Sequence, residues 1–477
     1  MKKFNPAMLC DYYEYTMANG YHLAGVRDEI VYFDMFFRDI PDHGGFAIAA
    51  GLDSFIEWIK NFHFESEDIT FLRGQNIFDE EWLKSLGDFR FTGDIWAVPE
   101  GTVVFPDEPL VTVRAPAGQA QLIETGLLLC LNHQSLIATK ANRIVRAAEG
   151  RAVMEFGARR AQGAEAAILG ARAAYLAGCA GTSNTVCGQL YGIPALGTMA
   201  HSWIQIFNDE YTAFRRFCEL YPSGPSLLVD TYNVLHSGVP NAIRVFKEMG
   251  IPNGSIRLDS GDITYLSIKA RAMLDEAGLP GCCIMASNSL DEQIIREVIR
   301  AGARVDAFGV GERLITAQSD PIFGGIYKLA AVEKDGGIIP KIKLSENPHK
   351  ITTPHFKRIY RLYERETGKA IADYICLRDE QLRDDQPLEL FDPHFTWKRK
   401  TVSDYIAREL QQPIFRAGEL VYRRPGIEDI KAYCQSEVDS LWDEVKRFEN
   451  PHHYYVDLSQ RLWDTRQALI EKGGRQS

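Results

Sequence analysis

Over roughly the first 90 residues, apolar positions recur at helical spacing, with aromatic-rich segments such as Phe55 to Phe64, and predict a mainly helical region. From Phe91 to Ala115 the rhythm shortens to β-branched runs broken by turn residues. Thr102-Val103-Val104-Phe105 leads through Pro106-Asp107-Glu108-Pro109 to Leu110-Val111-Thr112-Val113, which predicts a β-rich module. From Arg151 onward, short apolar runs end in polar or glycine-rich loops and alternate with segments of helical composition. The runs are Ala152-Val153-Met154, Cys179-Ala180, Ala195-Leu196, Leu227-Leu228-Val229, Ser255-Ile256, Cys283-Ile284-Met285 and Val305-Asp306-Ala307-Phe308, with an eighth near Ile326-Tyr327. Repeated units of this kind predict an α/β fold, either a parallel barrel or an open doubly wound sheet. Beyond about residue 340 the chain is irregular and richer in charge, with helical stretches at Ser436 to Phe448 and Leu458 to Lys472. The implied division is a mixed α+β domain at 1–145 with its β-rich module near 91–115, an α/β domain at 146–335, and a tail at 336–477 that packs back on the first domain.

The loops that follow the apolar runs hold most of the chain's candidate chemistry. They read Glu155-Phe156-Gly157-Ala158-Arg159-Arg160, Gly181-Thr182-Ser183-Asn184, Gly197-Thr198-Met199-Ala200-His201, Asp230-Thr231-Tyr232, Arg257-Leu258-Asp259-Ser260-Gly261-Asp262, Ser287-Asn288 and Gly309-Val310-Gly311-Glu312-Arg313. Any one of these is ordinarily a solvated loop. Seven of them at the carboxyl ends of successive strands mark the edge where barrels and open α/β sheets bind ligands.

Composition narrows the partners. A formal charge of −11 argues against a nucleic-acid binder. The nine cysteines are scattered, with no C-x-x-C pair, and read as reduced and buried, which suits the cytoplasm. Asp11 and Glu14 interrupt the charged start at Met1-Lys2-Lys3 before a signal-peptide core can form. The most apolar stretch, Leu127 to Leu131, is far short of a membrane span.

Gly309 and Gly311 form either a tight turn or a phosphate cradle, because glycines let backbone N–H groups approach an anion. Ser287 and Asn288 on the neighbouring loop would add donors. Asp259 and Asp262, with Asp230 close in strand order, are a carboxylate group suited to Mg²⁺; alternatively, Asp259 and Asp262 cap the next helix and orient arginines. Arg159 and Arg257 offer planar forks for carboxylate or phosphate. His201 is by itself as compatible with a structural role as with catalysis. No Gly-x-Ser-x-Gly elbow or paired cysteine is present, so a covalent role would make His201 itself the nucleophile.

Together these segments resemble the nicotinate phosphoribosyltransferase family. The matching pieces are Asp11-Tyr12-Tyr13-Glu14-Tyr15-Thr16-Met17-Ala18, Glu155 to Gly163, Gly181 to Asn184, Gly197 to Ser202, Arg257 to Asp262, Ala286 to Asn288, Phe308 to Leu314 and Gly324 to Leu329, in family order across about 320 residues. The resemblance implies a type II phosphoribosyltransferase: an irregular parallel α/β barrel beside a mixed α+β amino-terminal domain, completed by the carboxyl-terminal tail. It implies a homodimer with shared active sites. The implied reaction joins nicotinate to 5-phosphoribosyl-1-pyrophosphate, giving nicotinate mononucleotide and pyrophosphate for NAD salvage, with Mg²⁺ as cofactor. ATP is the implied co-substrate, acting through a phosphohistidine at His201.

By the same resemblance Tyr13 stacks on the pyridine ring, Arg159 and Arg257 hold the nicotinate carboxylate or sugar phosphates, and Asp259 sits near the reacting ribose. Ser287, Asn288, Gly309 and Gly311 cradle the 5-phosphate. Nicotinamide-specific relatives carry an aspartate where this chain has Ser183-Asn184, and an aspartate accepts from an amide but repels a carboxylate. Acid is therefore the expected substrate, ahead of a nicotinamide enzyme or a non-catalytic binder of NAD precursors. The chain departs from the family at Glu312, where many relatives have threonine, and at His355, where many have glycine.

Overall fold

The computed structural model describes residues 5–393 and 395–474, so the charged start at Met1 to Phe4 lies outside the described residues. The chain forms two compact units, one from residues 1–136 and 322–477, the other from 137–321. The second is inserted, in sequence, into the first.

The inserted unit is built on a six-stranded parallel sheet whose strands we number in chain order: β1 (Ala152–Glu155), β2 (Gly181–Thr182), β3 (Ser226–Leu228), β4 (Ser255–Leu258), β5 (Cys283–Ser287) and β6 (Ala307–Val310). Their spatial order is β2-β1-β6-β5-β4-β3. Helices cross between strands, as parallel pairing requires. Val239–Glu248, for example, buries Val239, Ala242, Val245 and Phe246. These join Leu227, Leu228, Ile256, Leu258 and Ile284 in one apolar core. Each fully buried side chain of this size contributes about 1.5–3 kcal/mol.

Two of the apolar runs have other fates. Cys179-Ala180 precedes its strand, which lies at Gly181–Thr182, and Ala195 makes only an isolated bridge to Thr182. The eighth run is a correction. Ile326–Lys334 pairs antiparallel with Ile30–Phe36, in the other unit.

That pairing is central to a seven-stranded sheet ordered Gly337–Pro340, Ile326–Lys334, Ile30–Phe36, Val111–Pro116, Asp94–Ala97, Gln412–Arg416, Glu419–Leu420. The strand Ile30–Phe36 interrupts the helical reading of the first 90 residues, although the helices Tyr12–Leu23, Leu52–Lys60, Ser66–Arg73 and Glu80–Leu86 are present. The tail is mostly sheet rather than irregular. Lys357–Glu364 and Ala370–Leu377 form the middle of a four-stranded sheet flanked by Tyr405–Glu409 and Val456–Leu458. Its helices lie at Ile427–Ser440 and Gln460–Gly474, so the stretch predicted at Ser436 to Phe448 ends as helix at Ser440. Among the described residues no helix is long and apolar enough to cross a membrane. None of the nine cysteines forms a disulfide; six are buried as expected, but Cys10 and Cys130 are half-buried and Cys283 is exposed.

Candidate functional site

Strand periodicity puts residues i and i+2 on one face, so Arg257, at the end of β4, and Asp259 just beyond it point the same way. The Arg257 Nη2 donates to Asp259 Oδ1 at 2.6 Å, and its Nε donates to Ser287 Oγ at 2.8 Å. Its Nη1 donates to Thr198 Oγ1 at 3.1 Å, from the loop that leads into His201. Ser287 Oγ in turn donates to Asp259 Oδ1. Parallel register sets Ser287 level with Gly309 and Arg257 level with Met285, so these groups occupy neighbouring strand ends.

His201 opens the short helix His201–Gln205. Its Nδ1 lies 3.1 Å from Thr231 Oγ1, and its Nε2 is 3.9 Å from Asp259 Oδ2. The Asp230 Oδ2 accepts from the backbone N–H of Asp259 at 3.1 Å and from Ser260 Oγ, tying the ends of β3 and β4 together. Four loops thus bring an imidazole, a guanidinium, two carboxylates and four hydroxyls to one edge of the sheet.

Other candidate residues have different surroundings. Glycine at 309 is needed for packing, because a Cβ there would stand 2.6 Å from the Phe156 ring. Gly311 approaches the Phe156 carbonyl closely, with 3.1 Å available to a Cβ, and caps the helix Glu312–Ile315. Asn288 adopts φ 102°, a left-handed conformation that asparagine tolerates better than most residues. Asn184 uses its side-chain oxygen to accept from Cys187 N at 3.1 Å, capping the helix Thr185–Tyr191, while Ser183 is exposed. Asp262 likewise caps Ile263–Glu276, accepting from Tyr265 N at 3.0 Å. Arg159 is exposed, with no ion pair among the described residues, and Arg160 pairs with Glu312 at 3.4 Å. Glu312 is thereby engaged by an arginine. His355 sits at φ 79°, the region that favours glycine. In the other unit, Tyr13 is on the exposed face of Tyr12–Leu23; partial burial, then the nearby Glu124 carboxylate, push its phenol pKa up.

Four residues of this edge were not singled out from the sequence. Phe156 presents its ring to the Arg257 guanidinium at 5.8 Å. Thr198 and Thr231 anchor Arg257 and His201, yet read in sequence as ordinary loop residues. Glu155 is fully buried at the end of β1, accepting from Gly157 N and, at 2.6 Å, from Thr182 Oγ1. Burial raises its pKa, opposed by those two hydrogen bonds. Its signal, a carboxylate ending an apolar run, was visible.

A parallel sheet whose carboxyl edge gathers a cation, carboxylates and hydroxyls beside an imidazole has the arrangement at which open α/β folds bind their ligands. Three family profiles cover most of the chain: the nicotinate phosphoribosyltransferase N-terminal domain at residues 8–132, the nicotinate phosphoribosyltransferase (NAPRTase) family at 151–352, and the C-terminal domain at 356–466. The chain belongs to the nicotinate phosphoribosyltransferase family. It is 44% identical to the nicotinate phosphoribosyltransferase of Bacillus subtilis over 464 residues, covering 97% of this chain and 94% of that one. It is 30% identical to the human protein of that name over 526 residues, covering 97% and 96%. The crystal structure of human nicotinic acid phosphoribosyltransferase superposes with a TM-score of 0.84 at 28% identity, covering 97% of this chain and 99% of that one.

Proposed function

We propose that this protein is a cytoplasmic enzyme of NAD salvage that joins nicotinate to 5-phosphoribosyl-1-pyrophosphate, releasing pyrophosphate and nicotinate mononucleotide. The observation that carries this reading is Arg257, which holds Asp259 and Ser287 together at one sheet edge beside the Phe156 ring. An aromatic face next to a guanidinium suits a flat ring bearing a carboxylate. The pyridine nitrogen already has its lone pair, so no general base is required. What the reaction needs is a negative group near a ribosyl carbon that becomes positive as pyrophosphate leaves, and Asp259 supplies it.

Selectivity for acid over amide fits the absence of an aspartate at Ser183-Asn184. With its oxygen committed to the helix cap, Asn184 has only its NH₂ left to offer a ligand, a donor that suits a carboxylate. His201 takes the γ-phosphoryl group of ATP on a ring nitrogen, releasing ADP, and water later cleaves the P–N bond. Its half-exposed ring beside Asp259 leaves room for that exchange.

Mg²⁺ fits this edge through Asp259 better than through Asp262. The Asp259 Oδ1 is taken by Arg257 and Ser287, but its Oδ2 makes no hydrogen bond among the described residues. Asp262 spends one oxygen on its helix cap. Among the described residues no group of three or more His, Cys, Asp or Glu could hold a metal unaided. Mg²⁺ ordinarily takes one or two carboxylates plus water and substrate phosphates, and when bound it neutralises pyrophosphate charge.

The active form is a homodimer in which Tyr13 serves the partner's site. Tyr13 lies with Leu9, Tyr12 and Met17 among the exposed large apolar side chains of its unit, a surface that a second copy would cover.

The test is product formation from nicotinate, nicotinamide or quinolinate with 5-phosphoribosyl-1-pyrophosphate, with and without ATP. Nicotinate alone is expected to give mononucleotide, faster with ATP. A preference for nicotinamide, or nicotinate binding without turnover, would overturn the reading.

A further inference from the structure

We propose that Thr231 is a positioning residue that fixes the orientation of the His201 imidazole; its role in ATP coupling rests on the phosphohistidine reading above. His201 is 41% exposed in its side chain, at the start of a five-residue helix with no side-chain cap. Apolar packing does little to immobilise such a ring. Its Nδ1 shares a hydrogen bond with Thr231 Oγ1 at 3.1 Å, while Nε2 stands 3.9 Å from Asp259 Oδ2, beyond hydrogen-bonding range. Thr231 therefore decides which nitrogen faces the carboxylate.

Threonine suits this task. Its β-branched side chain has restricted χ1 freedom. Its hydroxyl both donates and accepts, so it can hold the ring through changes of protonation, where a carboxylate would favour the cation.

The loop carrying Thr231 is fastened at both ends. Immediately before it, Asp230 receives the backbone N–H of Asp259 and the Ser260 hydroxyl. Beyond it, Asn233 caps the π-helical turn Val234–Gly238, accepting from His236 N at 2.9 Å. Ser237 Oγ and Asn241 Nδ2 then donate to one oxygen of Glu210, a carboxylate only 3% exposed. Glu210 begins Glu210–Leu220, the helix next in sequence after that of His201. Gly238 closes the loop against β3, since a Cβ there would lie 1.9 Å from the Val229 carbonyl oxygen. A hydroxyl held on so constrained a loop can orient a ring that makes no other hydrogen bond among the described residues.

The experiment compares Thr231→Val, which removes the hydroxyl at nearly constant shape, with Thr231→Ser, which restores it. Two readouts are taken on the full chain. One is the ratio of nicotinate transfer rates with and without ATP. The other is the tautomer population of His201, from ¹⁵N-histidine NMR spectra assigned by the signal lost in His201→Gln. Thr231→Val is expected to reduce the ATP stimulation by about tenfold, the scale of one lost orienting hydrogen bond, and to change the tautomer population. Thr231→Ser should restore both readouts. A Thr231→Val protein with wild-type tautomer population would overturn the proposal, whatever its activity. A changed population in Thr231→Val, with ATP stimulation intact in His201→Gln, would uphold the positioning role and remove the phosphohistidine reading instead.

Discussion

At the scale of single residues, charge without a partner is the clearest source of measurable behaviour. Glu14 is fully buried on the helix Tyr12–Leu23; one oxygen accepts from the backbone N–H and hydroxyl of Thr125, and the other has no hydrogen-bond partner among the described residues. Burial pushes its pKa up from 4.5 to about 7, with the Thr125 hydrogen bond opposing and Glu124 adding to the rise. A carboxyl whose folded pKa is raised contributes stability that is complete below the unfolded value and lost as pH climbs through the folded one. Relative to Glu14→Gln, the wild type should therefore lose about 2–3 kcal/mol of unfolding free energy between pH 5 and pH 8. Urea unfolding of both proteins at the two pH values checks this, and parallel profiles would refute it. At this scale the sequence was readable where chemistry is distinctive. Arg257, Asp259 and His201 stand out as ionisable groups after apolar runs. Phe156 did not, because an aromatic beside a strand reads as core, and Thr231 did not, because one hydroxyl in a turn has no sequence signature of what it touches.

At the scale of elements, helix starts and strand ends compete for the same residue types. Asp259 and Asp262 are three positions apart in one loop, yet Asp259 meets Arg257 and Ser287 while Asp262 caps the helix Ile263–Glu276. Asp262→Ala should cost about 1 kcal/mol of stability and leave transfer nearly intact, whereas Asp259→Ala should keep the fold and lower kcat about a hundredfold or more. Melting curves and steady-state rates on both variants separate the two. Equal losses of activity would place Asp262 in the chemistry after all. The parallel strands were legible because each short apolar run ends in a polar or glycine-rich loop. Ile326–Lys334 was misplaced since an apolar run does not announce whether its partner is parallel or antiparallel, and its partner, Ile30–Phe36, is nearly 300 residues away in sequence. The tail's sheet was equally obscure. Arg361 and Asp373, charged residues in its central strands, are fully buried against each other, so the usual apolar alternation of a strand is broken there.

At the scale of the whole molecule, the homodimer proposed above makes a prediction about mixtures. Tyr13→Ala and His201→Ala dimers, each defective in ATP-stimulated transfer, should regain about a quarter of the wild-type rate when unfolded together and reassembled at equal amounts, because half the random dimers then own one intact site. No recovery would mean that each chain supplies its own Tyr13. The inserted unit has a further consequence, for synthesis. The strands Ile30–Phe36, Asp94–Ala97 and Val111–Pro116 leave the ribosome long before their outer neighbours Ile326–Lys334 and Gln412–Arg416. At about 5–20 residues per second, those nascent strands wait on the order of 10–40 s with unpaired edges while the inserted unit is made. The first unit is thus the last to finish folding, and chaperone demand should track its open sheet edges rather than the parallel sheet of the inserted unit.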